Sequence, residues 1–188
     1  RLRFDATYYQ AVTRNQIIAL PVAISSGASE QIVNGGVVNT SGVEILLDAQ
    51  AYKTNNFQWN VGLNFSHNVS IVKELPEGID KLTLAYSGVY DNVNQRVWFQ
   101  VEEGGRIGDM YGTGYLKNEN GDFVIGSDGR YIVDNTLKKL GNYNPDFILG
   151  INNSFSYKNW DMSFLFDWRQ GGVLVSRTLS LAAVGGQL

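Results

Sequence analysis

Few residues in this sequence are placed to do covalent chemistry. Glu102 with Glu103, or Asp122 with Asp128, are the carboxylates that a general acid and base would draw on, as in glycoside hydrolysis, where two carboxyl groups flank one bond. Nothing in their spacing sets two of them across a sugar, and carboxylates in polar, glycine-rich stretches are usually solvated. His67 is the single histidine and there is no cysteine, which leaves no histidine pair, thiolate metal site or cysteine nucleophile. Gly104-Gly105-Arg106-Ile107-Gly108 has the glycines of a phosphate loop but lacks the Gly-Lys-Ser/Thr ending and a following helix, so it reads as a tight turn. The expectation is a protein that is not an enzyme and that holds no metal and no cofactor.

Binding is the better prospect. Tyr86, Tyr90, Trp98, Phe99, Tyr111 and Tyr115 fall in a long central connection and are the ligand-binding candidates, because aromatic rings stack on a sugar or a peptide. Each of them could equally pack its own loop. The net charge of -3 gives no basic footprint, so nucleic acid is not an expected partner. Only 18% of residues are charged, against roughly 25% in soluble domains. With 21 Gly, 10 Tyr, 9 Phe and 4 Trp, the composition points to a β-protein with unusual surfaces.

The elements that carry these residues announce themselves by alternation, which in a strand sends successive side chains to opposite faces. Phe57, Trp59, Val61, Leu63 and Phe65 alternate with Gln58, Asn60, Gly62, Asn64 and Ser66. Before them, Val43, Ile45, Leu47, Ala49 and Ala51 alternate with Glu44, Leu46, Asp48, Gln50 and Tyr52, and a polar turn at Lys53-Thr54-Asn55-Asn56 joins the two. Residues 147 to 157 repeat the pattern with Ile148 and Asn153 as exceptions, and a turn at Lys158-Asn159 follows. Trp160, Met162, Phe164, Phe166 and Trp168 then alternate with Asp161, Ser163, Leu165, Asp167 and Arg169. The opening residues Leu2, Phe4, Ala6 and Tyr8 against Arg3, Asp5, Thr7 and Tyr9 read the same way.

Such segments of about ten residues fit strands that cross a bilayer at a tilt, roughly 9–11 residues each. From Trp160 to Trp168 is about 20 Å of height at ~3.3 Å per residue and ~40° tilt, close to the apolar band between aromatic girdles. No apolar run approaches the ~20 residues of a spanning helix, so strands must make any crossing. The expected lipid-facing set is Phe57, Trp59, Val61, Leu63, Phe65, Trp160, Met162, Phe164, Phe166 and Trp168. The expected lumen-facing set is Glu44, Asp48, Gln58, Asn60, Asn64, Asn152, Asp161, Asp167 and Arg169.

Connection lengths agree with a barrel, in which short periplasmic turns alternate with long outer loops. A connection of some twenty residues from Asn15 to about Gly36 precedes the turn near Asn55. One from about Ser70 to Pro145 precedes the turn near Asn159. If residues 57 to 69 run outward and 146 to 157 inward, the stretch between holds an even number of spanning strands, zero included. Within it, Arg96–Val101 reads as a strand, and Asp122–Ile125 and Arg130–Val133 read as a hairpin around Ser127-Asp128-Gly129. The start lacks a signal-peptide pattern and opens directly in a strand, as an internal segment would.

In this setting the order of landmarks resembles the SusC/RagA family of TonB-dependent transporters. Asn39-Thr40-Ser41-Gly42-Val43-Glu44 opens a strand, and Phe57-Gln58-Trp59-Asn60 and Asn64-Phe65-Ser66-His67-Asn68 follow. Gly105-Arg106-Ile107-Gly108-Asp109-Met110-Tyr111-Gly112 resembles the family's Gly-x-x-Gly-x-x-Tyr-Gly segment. Gly141-Asn142-Tyr143-Asn144-Pro145-Asp146-Phe147 and Phe155-Ser156-Tyr157-Lys158-Asn159-Trp160-Asp161-Met162-Ser163 resemble later elements. The resemblance covers nearly the whole chain and implies an all-β fold, a partial antiparallel transmembrane β-barrel belonging to a 22-stranded one.

It further implies that residues 1–188 are part of the barrel domain, with plug, TonB box and final strands elsewhere. The implied location is the bacterial outer membrane. The implied partners are a SusD-like surface lipoprotein, TonB, outer-membrane lipid and a bulky nutrient, a glycan or a peptide. Where relatives carry an Asp-x-Asn-x-Asp-Gly run, this chain reads Gly121-Asp122-Phe123-Val124-Ile125-Gly126-Ser127-Asp128-Gly129, so calcium is not assigned. Two alternatives share the alternation: a soluble β-sandwich that binds carbohydrate or acts as an adhesin, and a passive porin.

Overall fold

The computed structural model describes residues 1–21, 27, 30–88, 96–184 and 186. Among the described residues, nine strands and one short helix follow in order: β1 (Leu2–Pro21), β2 (Glu30–Lys53), β3 (Phe57–Glu74), β4 (Lys81–Gly88), β5 (Arg96–Glu102), β6 (Asp109–Tyr115), β7 (Val133–Asn142), β8 (Phe147–Tyr157), β9 (Trp160–Gln170) and α1 (Arg177–Val184). They make two antiparallel sheets, β1-β2-β3-β8-β9 and β4-β5-β6-β7. The fold is all-β, as the alternation predicts. No helix among the described residues is long and apolar enough to cross a membrane.

Register explains why the first sheet has two unlike faces. Phe4, Leu47, Leu63, Ile151 and Phe166 form one row across all five strands, and Ala6, Ile45, Phe65, Leu149 and Trp168 form the next. Between these rows lie the polar ones. Arg3, Asp48, Gly62, Asn152 and Leu165 form one, and Asp5, Leu46, Asn64, Gly150 and Asp167 another. A one-residue slip anywhere would exchange the faces, so the period-2 patterns of all five strands agree on a single register. A shift between Gln50 and Tyr52 skips Ala51 and pairs Tyr52 with Trp59. Tyr52 therefore joins the apolar face, against Phe57 at 6.0 Å, where simple alternation had set it among the polar residues.

β3 pairs directly with β8. The even number of wall strands between them is therefore zero, and β4–β7 fold as a sheet of their own. The turns at residues 54–56 and 158–159 sit where expected, the second with Lys158 at a left-handed φ of 53°.

The connection expected from Asn15 to Gly36 needs correction. β1 continues to Pro21 and β2 begins at Glu30, so most of it is paired ribbon. Asn15, with φ 53°, lies opposite Gly36, with φ 81°. These two left-handed residues interrupt the pairing at one position without ending the ladder, and the register is the same on both sides of them. At ~3.3 Å per residue these strands far exceed the 9–11 residues a bilayer needs. The region of the ribbon around and beyond Asn15 and Gly36, its outer region, packs against the second sheet.

The hydrophobic core sits in that outer region. Val72, Leu82 and Val101 are buried together, with Ile18, Leu20, Val38, Leu75, Ile79 and Ile107 packed around them. The core thus joins the ends of β1–β3 to β4 and β5. The wall sheet has no such cover on its apolar face among the described residues. Trp160 is 79% exposed, and Leu2, Phe4, Met162 and Phe166 are exposed as well.

Candidate functional site

Three regions of the structure bear on function: the polar face of the wall, the rim turn that ties the loop sheet to it, and an aromatic patch on the loop. On the polar face, Gln58 donates to Asn60 at 3.2 Å and Asn60 to Ser154 at 3.5 Å. The glycines at 62 and 150 leave the floor between them low. Asp48, Gly62, Asn64, Gly150, Asn152 and Asp167 line a shallow depression of about 360 Å³ there, with Leu46, Ile148 and Leu165 as its apolar part. Gln58, Asn60, Asn152, Glu44 and Asp48, all expected toward a lumen, do share this face with Asn64, Asp161, Asp167 and Arg169. The ten residues expected toward lipid share the opposite face.

Two residues depart from the face pattern in ways the structure explains. Asn153 lies among apolar neighbours, and its Oδ1 accepts from Trp59 Nε1 at 3.1 Å. Trp59 also stacks on Phe155 at 5.7 Å. His67, at the outer end of the apolar and polar patterns, donates through Nδ1 to the carbonyl of Asp146. Its role is a link between β3 and the start of β8.

The turn at residues 104–109 is tight, as its glycines suggest, and it leads into a strand rather than a helix. Gly105 N donates to Glu102 O at 3.0 Å, and Gly104 has a φ of 79°. Asp109 is 2% exposed and is fully engaged. It accepts from Lys139 Nζ at 2.6 Å, Asn142 Nδ2 at 2.9 Å and Arg106 N at 3.0 Å. Burial by itself would raise its carboxyl, but these three donors outweigh that and hold it below the usual aspartate range.

A pH prediction follows from that direction. A carboxylate with a lowered folded pKa contributes stability that is present above its unfolded value and is lost as pH falls through the folded one. Glu102 is likewise held low, by hydrogen bonds from Lys81 and Tyr111. Amide exchange in β6 is therefore expected to stay slow at neutral pH and to rise only below about pH 4. A rise already at pH 6 would contradict this account of Asp109.

The other carboxylates singled out by sequence also have structural work. Glu102 accepts from Tyr111 Oη at 3.0 Å and pairs with Lys81 at 3.0 Å. Glu103 accepts from Leu75 N at 3.1 Å. Asp128 caps Arg130 N at 3.1 Å, and the side chain of Asn118 caps Asp122 N at 2.9 Å. Glu102 and Glu103 both line a shallow depression with Glu77 and Asp80, but each is already engaged by a donor. The singled-out carboxylates are braces and turn caps.

The six aromatic candidates separate. Tyr111 is 6% exposed, its hydroxyl is taken by Glu102, and burial together with that carboxylate pushes it up to about 12. It is corrected from ligand contact to core. Phe99 meets the edge of Tyr143 at 5.9 Å, and Trp98 pairs with Tyr111 across β5 and β6. Tyr86 lies in β4 opposite Trp98, and Tyr90 falls outside the described residues. Only Tyr115 is shown in an exposed cluster, with Phe123 at 6.0 Å and Tyr131 at 5.3 Å. Lys117 lies over Phe123 at 4.9 Å. Phe123 and Tyr131 were missed, although the Asp128-Gly129 hairpin signal was enough to set both rings on one side of a small meander.

No protein-family profile matches the chain. Comparison with characterised proteins finds TonB-dependent receptor P3 of Formosa agariphila, 28% identical over 198 residues that cover 95% of this chain and 20% of that protein. TonB-dependent receptor P26 of the same organism is 28% identical over 91% of this chain and 19% of that protein. The chain is homologous to TonB-dependent receptors. It spans about a fifth of the length of these curated relatives.

Among solved structures, the RagAB peptide transporter matches with a TM-score of 0.65 at 19% identity, over 89% of this chain and 19% of that one. The RagAB peptide importer in its closed-closed state matches at 0.64 and in its open-open state at 0.58, both 17% identical. This likeness shows the fold. The antiparallel strands of this chain thus share the fold of part of the RagAB structures, the likeness that the motif order predicts. The relatives carry the name of receptors.

Proposed function

We propose that the chain forms part of the wall and outer rim of a TonB-dependent outer-membrane transporter. In this reading residues 1–188 belong to its barrel domain, a 22-stranded barrel whose plug and TonB box lie in other parts of a longer protein. The transporter takes up a bulky nutrient, a glycan or a peptide. The RagAB neighbours are peptide transporters, which supports keeping a peptide beside the glycan. A SusD-like lipoprotein is the expected lid partner, and TonB the energy source. The polar face lines the lumen, the apolar face meets lipid, and the exposed Tyr115, Phe123 and Tyr131 cluster meets cargo or lid.

One observation carries this reading: a single-layer sheet with a continuous apolar face that nothing among the described residues covers. A sandwich made from these residues would bury that face against a second sheet. The test uses an antibody to the exposed segment 117–130 on intact and fractionated source cells. Surface labelling, with an outer-membrane band about five times the mass of this chain as its one-fifth share implies, supports the transporter. A soluble band near 21 kDa overturns it.

The same orientation makes a prediction at Trp59 and Asn153. In lipid each polar atom relies on the other, so Trp59→Phe and Asn153→Leu should each destabilise, while the double variant costs less than their sum. Interhelical pairs in membranes couple by about 0.6 kcal/mol on average, up to about 1.7, and a similar coupling is expected from urea unfolding in lipid vesicles. Strict additivity would place the pair in water.

A further inference from the structure

The turn at residues 104–109 is the place where the loop sheet meets the wall strand β3 and the connection that leads from β7 into β8. On the β3 side, Ile107 N donates to Ser70 O at 2.9 Å, Val72 N to Gly105 O at 3.0 Å and Gly104 N to Val72 O at 2.9 Å. From the end of β7 and the connection to β8, Asn142 Nδ2 and Asn144 Nδ2 both donate to Ile107 O, at 3.1 and 2.9 Å, and Tyr143 N donates to Gly108 O at 3.1 Å. Beyond β9, Val173 N donates to Asn142 O at 2.9 Å, while Asp146 N donates to Gln170 O at 2.8 Å. Asp109, buried, holds Lys139 and Asn142 of β7 to the same turn.

We propose that this knot is a clamp that joins the loop sheet β4–β7 to the wall as one rigid body, so that the rim is fixed here and does not swing. A hinge is a short segment that can absorb a change of φ and ψ. Glycine would ordinarily supply that freedom, and the turn has three. Here the space beside Gly108 is already filled: a Cβ would fall 2.6 Å from Asn144 Nδ2 and 3.0 Å from Asn142 Oδ1. Gly108 is used for close approach, and the approach removes its freedom. Behind it, Ile107 packs on the Val72, Leu82 and Val101 core. Rotation of the sheet would break the side-chain and backbone bonds on both flanks together, which makes the attachment all-or-none.

The clamp also gives physical sense to two motifs at once. Gly-x-x-Gly provides the close turn, and Gly-Asn-x-Asn-Pro provides the two amides that fasten it. Any opening of the entrance is then made by other parts of the protein.

The test is a distance measurement on the full-length receptor in outer membranes, with spin labels at exposed Thr13 on β1 and exposed Lys138 on β7. A single narrow distance distribution is expected. In the Asn142→Ala/Asn144→Ala variant the distribution should broaden while the distance between two wall labels, at Thr13 and Asp161, stays as it was. A broad or two-peaked distribution in the native receptor overturns the clamp, whether or not the variant folds. An unchanged narrow distribution in the folded variant overturns the role of the two amides. Neither result bears on whether the protein is a transporter, because the measurement involves no cargo.

Discussion

Leu63→Arg is expected to cost the folded barrel about 2–4 kcal/mol, and Asn64→Arg, one residue along, less than about 1 kcal/mol. Leu63 sits in the row of Phe4, Leu47, Ile151 and Phe166. In the proposed orientation a guanidinium there must be drawn from water into hydrocarbon or bend toward a headgroup far away. Asn64 lies on the polar face beside Gly150 and Asp167, where an arginine meets water and a carboxylate. Urea unfolding in lipid vesicles measures both costs.

Stability alone does not tell lipid from a covering sheet, since a sandwich would also resent a charge at 63. Quenching of Trp59 fluorescence by brominated lipid supplies the missing half of the comparison. Strong quenching with the expected asymmetry places the face in lipid. Equal costs at 63 and 64 without quenching would end the membrane reading.

Why this face was legible is plain from the residues. Alternation is a property of one strand, and β9 shows it from Trp160 to Trp168 with Leu165 as its one departure. When five strands each carry the pattern, the register that aligns them is nearly forced. Pairing between β3 and β8 is another matter. Phe57 faces Tyr157 across about a hundred residues of chain, and nothing local in either strand says that no wall strand intervenes. Parity limited the answer to an even number, and only the folded chain gives zero.

The misread stretches have local causes too. Asn15, Gly35 and Gly36 are strong turn formers, and a reader of sequence ends a strand there. Within a paired ribbon they interrupt the ladder at one position instead. Tyr52 was put on the wrong face because one skipped residue, Ala51, reverses the alternation beyond it. The loop aromatics were spotted by type, but type does not tell a ring that braces from a ring that waits. Tyr111 and Tyr115 lie four residues apart in one strand, with one buried on Glu102 and the other exposed beside Phe123 and Tyr131.

The rim turn was the least legible part, and it yields the second large effect. Gly108→Ala is expected to destabilise the loop sheet by about 1–3 kcal/mol through backbone strain, since φ at this position is +97°. Loss of the Asn144 bond to Ile107 adds about 1 kcal/mol more. The added methyl falls where the Asn144 amide now lies, so that side chain must leave. Gly129→Ala is the control: its φ of +77° is similarly left-handed, but a Cβ there meets nothing within 4 Å. It should show the backbone part alone. Hydrogen exchange across β6 and β7 of the full-length receptor reads the difference. If the two variants loosen those strands equally, strain accounts for everything and the close approach at Gly108 has no special weight. If Gly108→Ala alone frees β6 from β7 while the wall strands stay protected, the amides of Asn142 and Asn144 are what hold the turn to β7 and its connection to β8.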